Sequence, residues 1–410
     1  MRKKLEGDRR RNATLWQKIE DNSSAKAKVL SSISFYLLIS SFIFFLSCGG
    51  RQTPAQQAEG DTVYFKYATQ LSVVRYDGYT VASLKNPWKE GMTLHQYILV
   101  PDTVDITSLT SHLSPLTSHQ SIIRTPLRRS VIFTTVHCAM LMDFGYQNSI
   151  SGVADLKYIK IPWVQQQVRK GRIMDVGDGL SPVVEKIIDL HPDALFLSPF
   201  ENSGGYGKLE EIDIPIVECA EYMEPSPLAR AEWLRFYGML FGCEERADSL
   251  FHAVDVRYNA LKALAAKAKS RPSVVFDKVT GSVWYVPGGK STIGQMIRDA
   301  NGRYPWADDS HSGSVSLPFE AVLEKAGDAD FWLFRYSGDH DITSKELLSE
   351  HHGYSQFKAF QSQKVFGCDV ERSYFYEESP FHPDRLLNDF IRILHPELPG
   401  LDSLRYYKQL

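Results

Sequence analysis

Cysteine is scarce and scattered, with five in 410 residues: Cys48, Cys138, Cys219, Cys243 and Cys368. No two stand at the short spacing of a zinc site or a redox dithiol, so neither is expected. The last four are expected as buried thiols, although an exported location permits a disulfide. Basic charge is also in short supply, 46 Lys and Arg against 49 Asp and Glu, a net charge of −3. Beyond its first 28 residues the chain has no basic stripe, which makes that part a poor partner for nucleic acid, whose phosphates need Lys and Arg. No HExxH pair, dense histidine cluster or GxSxG elbow occurs, which leaves zinc proteolysis and serine hydrolysis without a motif. Gly288-Gly289-Lys290-Ser291 resembles the end of a phosphate-binding loop, but the required first glycine is Trp284. No cofactor is implied.

What is present is the make-up of an ordinary globular chain, 43% hydrophobic and 23% charged with 27 Gly and 20 Pro, long enough for two domain cores. The one long apolar run, Val29 to Leu46, follows a segment holding nine Lys or Arg, is interrupted by serines and stops at Ser47-Cys48-Gly49. That order is a secretory signal rather than a spanning helix. Phe45-Leu46-Ser47-Cys48 resembles the bacterial lipoprotein signal, with Phe45 and Leu46 where Leu and a smaller residue are usual. Residues 1–47 are therefore expected as a lipoprotein signal peptide and Cys48 as the lipidated first residue. The remainder would be exported and lipid-anchored to membrane, facing the periplasm or the cell surface. Without residues 1–47 the charge balance falls to −8, since nine basic and four acidic side chains are lost.

Residues 48–61 read as a polar tether and 62–127 as an N-terminal β-rich extension, with alternation in Val63, Phe65, Tyr67 and again in Tyr97, Leu99. From Arg128 short apolar strands alternate with longer helical stretches, the pattern of a parallel sheet faced by helices. Candidate strands are 131–135, 194–198 and 214–218 in a first lobe (128–243), and 273–277, 330–334 and 364–367 in a second (271–398), with 399–410 a tail. Glu244 to Lys269 contains no Gly or Pro and repeats Leu250, Val254, Tyr258, Leu261 and Ala265 at helical spacing. A single connecting helix is expected over 244–270. The fold class is α/β: two Rossmann-like lobes with parallel sheets joined by one long α-helix, plus the N-terminal β-rich extension.

Several stretches carry a family likeness in order: Thr134-Thr135-Val136-His137 through Ile150-Ser151-Gly152-Val153, then Glu185 to Leu195, then Pro287-Gly288-Gly289-Lys290, Asp299-Ala300-Asn301-Gly302, Glu320 to Leu323, and Arg385 to Leu398. Together they resemble the class III periplasmic binding proteins, which include the ferric siderophore and vitamin B12 receptors. The resemblance covers about residues 128–398. It implies a substrate-binding protein, not an enzyme, that captures an iron complex (siderophore or haem) or cobalamin between two lobes and delivers it to an ABC permease and its ATPase. It further implies that Glu185 and Glu320, at the matching positions, meet arginines on the permease. An exported enzyme, or a structural or adhesin lipoprotein that reuses the fold, is the alternative.

The ligand is expected beside the loops at the carboxyl ends of the parallel strands. Those loops offer His137, Glu201, Asn202, Tyr206 and Tyr222 from the first lobe. The second offers Trp284, Tyr285, Trp306, Arg335, Tyr336, Arg372, Tyr374 and Tyr376. Aromatic faces stack on macrocycles or catechols, and guanidinium groups pair with carboxylates or an anionic chelate. The tryptophans are expected to face the gap. Direct metal ligation would need His137 and Glu201 to converge with His311 or another donor of the second lobe; a ligand that wraps its own metal needs only shape and charge.

Overall fold

The computed structural model describes residues 60–107, 119–201 and 205–410. The signal, most of the tether and Cys48 lie outside these residues. The extension forms a five-stranded sheet in sequence order, Asp61–Val63, Leu71–Tyr76, Tyr79–Lys85, Thr93–Pro101 and Gln120–Thr125. All its pairs are antiparallel except the last. Period-two alternation puts Leu71, Val73, Ala82, Leu84, Tyr97, Leu99 and Ile123 on one buried face, which joins the core around Phe236 and Leu240.

The first lobe is a parallel sheet of order Ile216–Glu218, Ala194–Leu197, Ser130–Ile132, Ile150–Val153, Met174–Asp175. Its first strand is an edge, and the extension reaches it through one side chain. The fully buried Tyr97 hydroxyl donates to the Ile216 carbonyl at 3.0 Å and accepts from the Glu218 amide at 2.7 Å.

The second lobe pairs Val274–Phe276, Phe331–Tyr336 and Val365–Asp369 in parallel. A small antiparallel sheet, Val279–Thr280, Val283–Pro287 and Ser314–Leu317, lies beside it in the chain. The end of the chain departs from the expected tail: Tyr407–Gln409 adds antiparallel to Val365–Asp369. Asp389, wholly buried on helix Pro383–Leu394, causes this by accepting the amides of Arg405 (2.9 Å), Tyr406 (2.7 Å) and Tyr407 (3.2 Å). Burial raises that carboxyl to about 6 against the pull of those donors.

Between the lobes runs one uninterrupted helix, Glu244–Ala265. Its 22 residues span about 33 Å at 1.5 Å per residue. The stripe Ala247, Phe251, Val254, Tyr258, Leu261 and Ala265 recurs at intervals of four and three and is buried throughout. This strut packs on helix Leu234–Phe241 of the first lobe and on Pro383–Leu394 of the second. Gly238 permits the first crossing, since a Cβ there would stand 2.5 Å from that of Ala247. The helix stops four residues short of Lys269, ahead of Pro272, whose ring disfavours helical backbone at Arg271.

The strut is fixed to the second lobe by a polar contact as well as by packing. The Tyr258 hydroxyl donates to Asp299 at 2.8 Å, and Lys262 lies 2.8 Å from the same buried carboxylate. Tyr258→Phe is expected to lower stability by about 1.5 kcal/mol at an unchanged denaturant slope in urea unfolding; an unaltered midpoint would show that the bond contributes nothing.

Candidate functional site

A cavity of about 430 Å³ opens between the lobes. From the first lobe it is lined by the start of helix Thr135–Phe144, by Ser198 just after strand Ala194–Leu197, and by Glu221, Tyr222, Pro227 and Arg230. From the second come Thr292, Ile293 and Met296 on helix Thr292–Asp299, Arg335 at the end of strand Phe331–Tyr336, and Phe375 and Tyr376. The carboxyl ends of parallel strands therefore supply it from both sides, as open α/β sheets do.

The first-lobe wall is built over a buried polar cluster. Glu221, 1% exposed, accepts from the Tyr237 hydroxyl at 2.9 Å and stands 3.7 Å from both His137 Nε2 and Arg230 Nη2. Burial raises this carboxyl, but His137 first and then Arg230 and Tyr237 outweigh it and hold the group below its ordinary range. Burial lowers the Arg230 guanidinium against the opposing pull of Glu221. On the facing wall Arg335 is gripped by Asp277 through two bonds, 2.9 Å from Nε and 2.5 Å from Nη2. That pairing overcomes the effect of burial and keeps the guanidinium raised. Burial pushes the Tyr222 phenol up to about 12.

Three polar contacts tie the lobes around the cavity. The Thr135 hydroxyl donates to Glu377 at 2.9 Å, His382 Nε2 is 2.8 Å from Asp143, and Lys160 is 3.1 Å from Glu371. Burial raises the Glu377 carboxyl.

Of the side chains expected at the ligand, Tyr222, Arg335 and Tyr376 line the cavity. The others do not. His137 lies one layer beneath, fully buried, its Nε2 3.1 Å from the Tyr237 hydroxyl. Trp284 is a core residue, its ring 5.5 Å from Phe357 and 5.8 Å from Trp332, its Nε1 donating to Phe276 at 2.9 Å. Trp306 packs on Tyr304 at 5.6 Å beneath the Lys325 ammonium. The expectation that both tryptophans face the gap is thus overturned, because the second lobe uses its largest rings to fill its own interior. Tyr285, next to Trp284 on the strand, points the other way and is 44% exposed. Tyr206 is half-buried and hydrogen-bonds Glu218. Tyr336 accepts from the Ile342 amide at 3.2 Å. Arg372 is exposed and paired with Asp369 and Asp341. Tyr374 adopts a left-handed conformation, φ 55°, ahead of helix Phe375–Glu378. Glu201 is exposed, and Asn202 lies outside the described residues. His311 is exposed and paired with Asp309. Among the described residues no group of three His, Cys, Asp or Glu is placed to hold a metal ion.

Glu221 and Arg230 escaped the sequence reading. A signal for Arg230 existed: Ser226 followed by Pro227 marks a helix start, and Arg230 stands one turn further on. The two acids expected to dock a permease, Glu185 and Glu320, are both exposed in the first turns of helices Val184–Leu190 and Phe319–Ala326. Neither has an ion-pair or hydrogen-bond partner among the described residues.

Glu221→Gln is expected to cost about 1.5–3 kcal/mol in urea unfolding, since it leaves the charge of Arg230 without its partner, and Glu221→Ala about 3–5 kcal/mol. Variants as stable as the parent would mean that the cluster contributes no net stability.

The geometry agrees with what similar proteins show. A family model described as periplasmic binding protein matches residues 144–371. An uncharacterised lipoprotein of Methanocaldococcus jannaschii is 28% identical over 354 residues, covering 82% of this chain and 83% of its own. A second from the same organism is 27% identical, covering 83% and 87%. Among solved structures, a periplasmic haem-binding protein from Pseudomonas aeruginosa superposes with a TM-score of 0.54 at 17% identity, over 69% of this chain and 98% of its own. An ABC transporter substrate-binding protein from Listeria monocytogenes gives 0.52 at 17%, over 66% and 99%. The vitamin B12 binding protein of Vibrio cholerae gives 0.50 at 13%, over 66% and 97%. With two sheet-built lobes, one strut and a cavity at their facing strand ends, this chain belongs to the periplasmic binding protein family.

Proposed function

We propose that the chain is a lipid-anchored receptor that captures an iron complex or cobalamin in the inter-lobe cavity and delivers it to an ABC permease and its ATPase. The observation that carries this reading is the cavity itself, walled by Tyr222, Phe375 and Tyr376 with an arginine on either side. Aromatic faces bind flat chelates or macrocycles, while paired guanidinium groups bind their acidic substituents. The binding of haem and vitamin B12 by proteins of the same fold supports the ligand class. The lipoprotein names of the M. jannaschii relatives support lipidation at Cys48 and an exported, membrane-held location.

Two groups of the cavity wall are ill suited to acid–base work at ambient pH. A general acid or base works best near the ambient pH. In this cavity Glu221 is held below its ordinary range and Tyr222 is raised to about 12. The cysteines Cys138, Cys219, Cys243 and Cys368 are buried, their thiols pushed up mainly by burial, which makes them poor nucleophiles.

Protein purified from its own host is expected to carry an iron chelate, haem or corrinoid, seen as added mass in a native spectrum and as visible absorbance. A ligand-free protein that also binds none of ferric citrate, haem and cyanocobalamin on titration would end the receptor reading. Glu185 and Glu320, each an exposed acid on a different lobe, are assigned to the permease. Glu185→Ala combined with Glu320→Ala is expected to leave ligand affinity unchanged and to weaken the complex with the permease by about tenfold. Loss of ligand binding in the double variant would reassign these acids.

A further inference from the structure

The segment that carries Glu221, Tyr222, Pro227 and Arg230 into the cavity is held from outside the region the family model matches. Glu224 and Glu232, 4% and 1% exposed, bracket the short helix Pro227–Glu232. Both carboxylates turn away from the cavity toward one loop of the N-terminal sheet. Glu232 accepts the amides of Lys66, Tyr67 and Ala68 at 2.7, 2.7 and 2.8 Å. Glu224 accepts the amides of Thr69 and Gln70 at 2.9 Å each and the Thr69 hydroxyl at 3.0 Å. Five consecutive backbone N–H groups thus converge on two buried charges, a nest of the kind that binds anions. Within the described residues of its own lobe Glu224 retains the Trp233 indole N–H at 2.8 Å, and Glu232 has Arg235 at 3.4 Å. The loop's amides are thus the main hydrogen-bond partners of both carboxylates, and a buried carboxylate that lost them would be left in a costly state. Tyr97, bonded to Ile216 and Glu218, fixes the start of the same segment.

Arg230 is what this brace presents. Its Nε is shielded from solvent and has no hydrogen-bond acceptor among the described residues, and its nearest carboxylate contact, with Glu221, is 3.7 Å. Arg335 across the cavity already holds Asp277 through its Nε and Nη2. The first residues of helices Thr135–Phe144 and Thr292–Asp299 line the same space, so two positive helix ends add to the field. We propose that the loop Lys66–Gln70 is the positioning device of the ligand cleft, fixing the helix that carries Arg230, and that Arg230 receives an anionic oxygen group of the ligand. This rests on the receptor reading and deepens it: the favoured ligand bears several carboxylates, as ferric citrate or haem does, whereas cyanocobalamin carries amides and a single phosphodiester and is neutral overall.

The test is calorimetric titration of the full chain with ferric citrate, haem and cyanocobalamin. At least one of the first two is expected to bind more tightly than cyanocobalamin. Arg230→Gln should weaken that binding roughly tenfold or more, and Arg230→Lys should recover part of it. Glu232→Gln should weaken it several-fold in the parent but have little further effect in the Arg230→Gln background, because the carboxylate acts through the arginine. A merely structural role would give losses that add. If Glu232→Gln fails to fold, Tyr97→Phe serves in the same cycle. Additive losses, or anionic binding indifferent to Arg230, would overturn the proposal and leave the receptor standing. Binding of cyanocobalamin alone would do the same. Binding of none of the three would remove the receptor reading and this proposal together.

Discussion

A cleft between two sheets exists only if something fixes their separation, and here that constraint is the buried stripe of the strut. Six apolar positions from Ala247 to Ala265 lock one helix against a helix of each lobe. A single helix has its backbone bonds satisfied internally and bends only at appreciable cost. The cavity is therefore largely preformed, which reduces the ordering entropy a ligand must offset on binding. The ties Thr135–Glu377, Asp143–His382 and Lys160–Glu371 then act on a gap whose width is already set.

A second principle recurs at both ends of the chain. Carboxylates buried on helices bind runs of backbone amides from distant segments: Glu224 and Glu232 hold residues 66–70, and Asp389 holds residues 405–407. Each contact satisfies donors that a loop would otherwise leave unpaired, and each makes a terminal segment integral to a lobe. The extension is accordingly part of the first lobe's wall, not an appendage to it.

The repeating features were legible in the sequence. Six strands of the two parallel sheets stood out as short apolar runs, and the strut as a helical repeat free of Gly and Pro. The aromatic residues misled because type was read without phase. Alternation in Val283–Pro287 requires Trp284 and Tyr285 to face opposite sides, and burial goes to the larger, more apolar ring. Glu221 and the 66–70 loop were illegible for another reason. Glu221 lies 16 residues from Tyr237, and the 66–70 amides lie 154 to 166 residues from the carboxylates that bind them, so no local pattern encodes the arrangement. The strand at 407–409 is of the same kind, dictated by Asp389 rather than by its own three residues.

The phenol of Tyr97 has one more effect. By occupying a carbonyl and an amide on the outer side of Ile216–Glu218, it covers a rim that would otherwise be open to another strand, whereas Tyr407–Gln409 covers Val365–Asp369 and leaves an edge of only three residues. Exposed rims of this kind invite chain-to-chain pairing and aggregation. Strand pairing between copies is thereby blocked at the first rim and confined to a three-residue edge at the second.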